Sequence, residues 1–176
     1  MSSIAPVSII GTTKTFSLVS ALIRKREAGI GKMWSPHVAS HIICLVPDWL
    51  NPGKTIGVEM SPRGIRRVQP GQLPAGEHIV FSANPPMKVP HDGQVYVRRA
   101  FDAATKYDFD ALLALLGFGR QDSNRLYCSE LAAGMLLAGC YSCPPEWKDS
   151  VTPWDKQRHF EAAGLIVYRS YKKFWC

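Results

Sequence analysis

The feature that most limits how this chain can fold is a change of hydrophobic period partway along it. Before residue 84, short apolar and β-branched runs are separated by turn residues at hairpin spacing. After the proline-rich stretch Asn84 to Pro90, apolar residues recur about every 3.6 positions. In the first part, Val38 to Val46 is a continuous apolar run ended by Pro47-Asp48 and Asn51-Pro52-Gly53, so it predicts a buried strand. Thr55 to Met60, Gly64 to Val68 and His78 to Ser82 predict three further short strands, and together the runs suggest a small antiparallel sheet. Upstream, Thr13 or Thr15 caps a helix carrying Phe16, Val19 and Ile23 on one face and ending at Gly29.

In the second part, Val97, Ala100, Phe101 and Ala104 share a helical face, with Asp92 as the expected cap. Phe109, Leu112, Leu113 and Leu116 do the same for a helix capped by Asp108 and stopped by Gly117. A third helix starts near Cys128 and runs to Gly139; a fourth opens at Thr152-Pro153, a cap followed by proline at the first helical position, and ends at Gly164. Leu165 to Arg169 reads as a last strand, and residues 168–176 as the end of that strand or a basic, aromatic tail. Helix, strands, helices, strand is the order of one α+β domain, small antiparallel sheet against helices, spanning residues 1–176. A chain of this length buries roughly 70% of its unfolded surface and needs neither disulfides nor a structural metal to hold a core.

Charge enters as a question about partners. Lys and Arg number 21 against 14 Asp and Glu, so the net charge is 21 − 14 = +7. The basic residues fall in scattered groups, Arg24-Lys25-Arg26, Arg66-Arg67, Arg98-Arg99 and Lys172-Lys173, with no nucleic-acid motif beside them, so no specific nucleic-acid partner is expected. The longest apolar run, Leu131 to Cys140, is about half the ~20 residues a membrane-spanning helix needs. The N-terminus lacks a basic region followed by an apolar one, so a cytoplasmic chain is expected, and five cysteines, an odd number, agree with reduced thiols.

Three residues could carry chemistry together. Cys128 follows a polar, Gly-containing loop and opens a helix, where unpaired N–H groups and the helix dipole favour a thiolate. The same position also suits a small thiol packed as a hydrophobe. His41 sits inside the apolar strand Ser40-His41-Ile42-Ile43-Cys44-Leu45, where it is either a satisfied core histidine or the base a nucleophilic thiol requires. Glu59, in the next strand, can orient the imidazole; an antiparallel register placing 41 opposite 59 sets Val46 opposite Lys54, which the loop allows, as does a shift of two residues. Of the other histidines, His37 precedes the strand, and His78, His91 and His159 read as strand-edge, loop and helix-surface positions.

Two metal readings compete. His37 and His41 with Glu59 have zinc-like spacing on a helix, but the segment is β-branched, and in a strand the two rings would stand about 13 Å apart. Cys140-x-x-Cys143 has no second pair and sits between a glycine stop and Pro144-Pro145, so it reads as a structural loop; no metal or other cofactor is expected.

The order of these motifs resembles a known family. A Ser-His-apolar strand, a Val58-Glu59-Met60 strand, Tyr107-Asp108-Phe109 and then Tyr127-Cys128-Ser129-Glu130-Leu131 on a helix look like the permuted papain-like (permuted NlpC-type) cysteine hydrolases of the YiiX-like group, from about Ser8 to about Val167. In that group the cysteine follows the histidine, as it does here. The chain departs from the group in its first strand, Val7-Ser8-Ile9-Ile10-Gly11, which lacks a Gly-Asp start, and in Ile42-Ile43 after the histidine. The resemblance implies Cys128 as nucleophile, His41 as general base and then acid, Glu59 as the residue orienting it, and Tyr127 beside the nucleophile as a substrate-binding residue. It further implies acyl transfer through a thioester, on a peptide, amide or lipid acyl substrate with peripheral membrane contact open, or an inactive papain-like binding module. The segment 81–93 is then either a lid or an ordinary crossover.

Overall fold

The computed structural model describes residues 8–13, 18–35, 37–69, 78–110, 126–144, 147 and 152–165. They form strands β1 (Ser8–Thr13), β2 (His41–Pro47), β3 (Thr55–Ser61), β4 (Gly64–Val68) and β5 (His78–Ala83), and helices α1 (Leu18–Ala28), α2 (Pro90–Asp102), α3 (Cys128–Ala138) and α4 (Pro153–Ala162). The strands make one antiparallel sheet in the order β4-β3-β2-β1-β5. The α+β expectation and the small antiparallel sheet hold.

The central strand β2 has five consecutive buried residues, Ile42 to Val46, the uninterrupted apolar pattern of a strand with both faces covered. Ile42, Cys44 and Val46 share a core with Ile56, Val58 and Met60 of β3 and with Leu131, Met135 and Leu136 of α3. Each such aliphatic side chain contributes roughly 1.5–3 kcal/mol by leaving water. Helix α3 lies on β2 and β3 and crosses α2, where a side chain at Gly93 would meet the Met135 carbonyl oxygen at 2.7 Å. Only glycine lets the two helices approach this closely.

Several sequence-based boundaries move, each for a local reason. Thr13 is the last residue of β1, paired with His78, rather than a helix cap; Thr15, Phe16 and the start of the helix before Leu18 lie outside the described residues. The strand expected from Val38 begins at His41, because the Ala39 N–H donates to the Gln157 side chain at 2.8 Å rather than to a neighbouring strand. Helix α2 starts at Pro90 after an N-cap at Val89, so Asp92 lies in the first turn instead of capping it; proline fixes φ there and lacks only an N–H that has no helical partner. Helix α4 opens as expected, with the Asp155 N–H donating to Thr152 Oγ1 at 3.1 Å and Pro153 at the first position. The helix through Leu112 to Leu116, the strand ending at Arg169 and the tail 168–176 lie outside the described residues.

The β2–β3 register is the most consequential correction. Val46 faces Ile56 and Pro47 faces Thr55, so His41 and Glu59 are not directly opposite; the register is shifted by two residues from the one that sets Val46 against Lys54. The Pro47-Asp48 turn signal predicts a strand ending at Val46, but β2 runs through Pro47 and the Asp48 N–H donates to the Lys54 carbonyl at 2.7 Å. Alternate N–H groups of a strand point to opposite sides, so the Pro47 nitrogen points away from β3 and costs that ladder nothing. The Asp48 carboxylate then closes the turn, accepting from the Leu50 N–H at 2.9 Å and the Asn51 amide at 2.7 Å. A shift of two leaves every side chain on its original face.

The segment from residue 84 to 89 is anchored. Asn84 accepts from Ser8 Oγ at 2.8 Å, and the Val89 N–H donates to the Gly139 carbonyl at 3.1 Å, as suits a crossover between β5 and α2. No helix among the described residues is long and apolar enough to cross a membrane.

Candidate active site

The β2–β3 ladder pairs Cys44 with Val58 through Pro47 with Thr55, and His41 and Glu59 both extend past it at the same end of the sheet. They lie on one face. There His41 Nε2–H donates to Glu59 Oε2 at 2.5 Å. The other Glu59 oxygen accepts from Arg66 Nε at 2.5 Å, since Arg66 faces Glu59 directly across the β3–β4 pairing. Glu59 is 3% exposed, so its charge is solvated by these two cations and hardly by water.

Cys128 arrives from the opposite side. The bridge between Tyr107 and Leu126, with the Asp108 N–H donating to the Leu126 carbonyl at 3.0 Å, ties the Tyr107-Asp108-Phe109 segment to the residues leading into α3. Helix α3 starts immediately after, with the Tyr127 N–H held by Glu130 Oε2 at 2.9 Å. Cys128 is thus the first residue of an 11-residue helix, where the first N–H groups have no partner within the helix. The thiol lies 3.9 Å from Ser129 Oγ, and the His41 ring and the Ile42 N–H are near enough to act on its ionisation. With Nε2 committed to Glu59, Nδ1 is the ring nitrogen left for the sulfur.

The charges reinforce one another. Burial alone would lower the His41 pKa, but the Cys128 thiolate and then Glu59 overcome it and raise it to about 10. Burial alone would raise the Glu59 carboxyl, but hydrogen bonding and charge from His41, then Arg66, bring it down to about 2. Burial likewise opposes a Cys128 thiolate, and the His41 charge and hydrogen bond, the Ile42 N–H and Ser129 outweigh it, so the thiol is lowered. Cys44 shows what burial does without such partners: its thiol is pushed up to about 12.

His41, Glu59 and Cys128 line one cavity of about 320 Å³, bordered by Ser20 and Ile23 of α1, by the β3–β4 turn and by Tyr107. The expectation for Tyr127 changes: it is 5% exposed and belongs to the core cluster, and Tyr107 is the tyrosine on the cavity wall. The phenol of Tyr107 is raised well above its ordinary range by burial and then by Cys128, so it stays a neutral hydrogen-bond donor at neutral pH. The Tyr-Asp-Phe motif was the signal that could have found it.

Behind the site, Gln157 of α4 clamps the approach to His41. Its Oε1 accepts from the Ala39 N–H at 2.8 Å and its Nε2 donates to the His37 carbonyl at 2.9 Å. His37 itself is exposed and precedes β2, away from a metal-binding arrangement with His41 and Glu59. Among the described residues no group of three or more His, Cys, Asp or Glu could hold a metal ion, and Cys44, Cys128, Cys140 and Cys143 are free thiols. His91 lies in the first turn of α2 rather than in a loop, and His159 is half-buried rather than on the helix surface, with Nε2 against the Tyr141 hydroxyl at 2.8 Å.

No protein-family model, curated protein or solved structure matches this chain.

Proposed function

We propose that this protein is a cysteine-dependent hydrolase or acyltransferase that cleaves an amide or ester bond through a thioester on Cys128. One observation carries the reading: a thiol at a helix start shares one cavity with an imidazole whose Nε2 is fixed 2.5 Å from a buried carboxylate. A nucleophile, its base and an orienter for the base are what covalent acyl transfer needs. The order histidine, glutamate, cysteine along the chain supports a permuted papain-like arrangement of the α+β domain. A reducing, cytoplasmic setting suits a mechanism that depends on a free thiol.

In the mechanism, the Cys128 thiolate attacks the carbonyl carbon, forming the C–S bond. The oxyanion meets N–H groups at the start of α3, including that of Cys128. His41, held as imidazolium, gives its proton to the leaving amine or alkoxide as the C–N or C–O bond breaks. It then takes a proton from water, whose oxygen attacks the thioester and releases the acid and the thiolate; an alcohol or amine in place of water completes acyl transfer. Glu59 holds the ring and stabilises its charge throughout.

The test is incubation of wild type and Cys128→Ala with acyl amides, peptidoglycan fragments and phospholipids, followed by intact-mass spectrometry. A mass increase equal to the acyl group, on wild type only and labile to hydroxylamine, is expected. If Cys128 also alkylates with iodoacetamide at pH 6 no faster than the other cysteines, the hydrolase reading fails and a binding module takes its place.

A further inference from the structure

The cavity carries a cation that the chemistry just described does not use. Strands β3 and β4 are joined by the two-residue turn Pro62-Arg63, closed by Gly64 at φ 97° and by Ser61, whose Oγ donates to the Gly64 carbonyl at 2.9 Å and accepts from the Arg63 N–H at 3.3 Å. A left-handed glycine and a hydroxyl bonded on both sides hold this turn in one conformation. It stands at the end of the sheet where His41 and Glu59 extend past the β2–β3 ladder, so Arg63 reaches the same cavity as Cys128.

The two arginines on the wall differ. Arg66 spends its guanidinium on Glu59. Arg63 has no carboxylate or other side-chain partner among the described residues. Counting the ionised wall, Glu59 is offset by Arg66 and the Cys128 thiolate by the His41 imidazolium, which leaves the Arg63 charge uncompensated. An open cavity with one unbalanced guanidinium attracts anions and holds a carboxylate in the plane of its fork. The apolar wall is short: Ile23, Pro62 and Tyr107, interleaved with the hydroxyls of Ser20, Ser40 and Ser61. Such a wall fits a compact polar acyl group and offers little for a long hydrocarbon chain.

We propose that Arg63 is a specificity-determining residue that binds a carboxylate of the substrate, so that the site takes compact amides or esters carrying a negative charge close to the scissile carbonyl. This rests on the thiol-hydrolase reading above, and the test separates the two.

Cys128 can be alkylated by iodoacetamide, which is neutral, or by iodoacetate, which carries a carboxylate; in both the C–S bond forms as iodide leaves. The rate with iodoacetamide at pH 6 reports the thiolate and therefore the hydrolase reading. The ratio of the iodoacetate rate to the iodoacetamide rate reports Arg63. Arg63→Gln is expected to lower that ratio about three- to ten-fold, Arg63→Glu further, and Arg63→Lys to restore most of it, as the loss or reversal of one nearby charge does. A ratio that stays the same in Arg63→Gln while iodoacetamide still labels Cys128 rapidly overturns the proposal and leaves the hydrolase standing. In a second arm, glutarate, inorganic phosphate and vesicles of anionic phospholipid are each tested for protecting Cys128 from iodoacetamide. Protection by glutarate that is lost in Arg63→Gln supports a carboxylate, and protection by phosphate or vesicles alone overturns it in favour of a phosphorylated substrate.

Discussion

A bonded pair of charges and a lone lysine are buried against the same core, and burial acts on them with different results. At the cavity, Glu59 is bonded to both His41 and the half-exposed Arg66, and the charges of His41 and Glu59 keep each other ionised against the pull of burial. Lys156, on α4, is fully buried with no hydrogen-bond partner for its Nζ among the described residues; it sits 3.8 Å from the Trp147 ring centroid. There burial wins, and the lysine pKa falls to about 7. The aromatic face and neighbouring thiols offset only part of the lost hydration. A buried charge is held firmly where an opposite charge bonds to it, and loosely where an aromatic face and thiols are its nearest partners.

The largest effect is expected from removing the charge that holds the cavity cluster together. Glu59→Gln keeps a hydrogen-bond acceptor for His41 but not the negative charge, and it leaves Arg66 without its partner. Acyl transfer is expected to drop about 10³- to 10⁴-fold, the scale on which turning a triad's orienting carboxylate into an amide acts. Alkylation of Cys128 should need a higher pH, because the imidazolium that stabilises its thiolate is weaker. An alkylation profile that does not move would show that His41 is charged for a reason other than Glu59.

How much of this was readable in advance follows from which signals have a short range. Cys128 was legible because a helix start is a local pattern, and His41 because a polar ring interrupts a β-branched run. Glu59 was legible through strand parity, which survives a register error of two; that is why the residue was found while the pairing was not. Arg66 was not legible. Arg66-Arg67 puts like residues on both faces of β4, so parity gives no hint which one meets Glu59; the other reaches Asp48. Lys156 and Gln157 were hidden for another reason, because polar residues on a helix read as its solvated face unless a distant segment is known to cover them.

Gln157 provides the intermediate test, since it joins α4 to the backbone just before His41 and touches no reacting atom. Gln157→Ala leaves the Ala39 N–H and the His37 carbonyl without these bonds, at a cost of about 1–3 kcal/mol of stability. As a positioning residue it should lower kcat about ten-fold with little change in KM, while Gln157→Glu, which keeps the acceptor for Ala39, recovers part of the loss. A stability loss with no change in kcat would confine Gln157 to holding the fold.

The smallest effect is the most direct test of the contrast, because it asks whether Lys156 really titrates near neutrality. Its folded pKa, about 7, lies below the ordinary 10.5, so between those values the unfolded chain binds a proton that the folded chain does not. Stability from this residue therefore rises as pH climbs above about 7, by up to about 2 kcal/mol at pH 9, and is constant at low pH, where both states are charged. The cavity cluster does not mask this slope. That cluster is the same in wild type and Lys156→Met, so its contribution cancels in the difference between the two proteins. Lys156→Met keeps the apolar volume and removes the titrating amine. It should be more stable than wild type by about 1–3 kcal/mol at pH 7, with the advantage shrinking by about 2 kcal/mol at pH 9, measured by urea unfolding at each pH. A difference between the two proteins that is flat across this range would mean that Lys156 keeps its proton, and that burial over an aromatic ring protects a charge as well as the carboxylate at the cavity does.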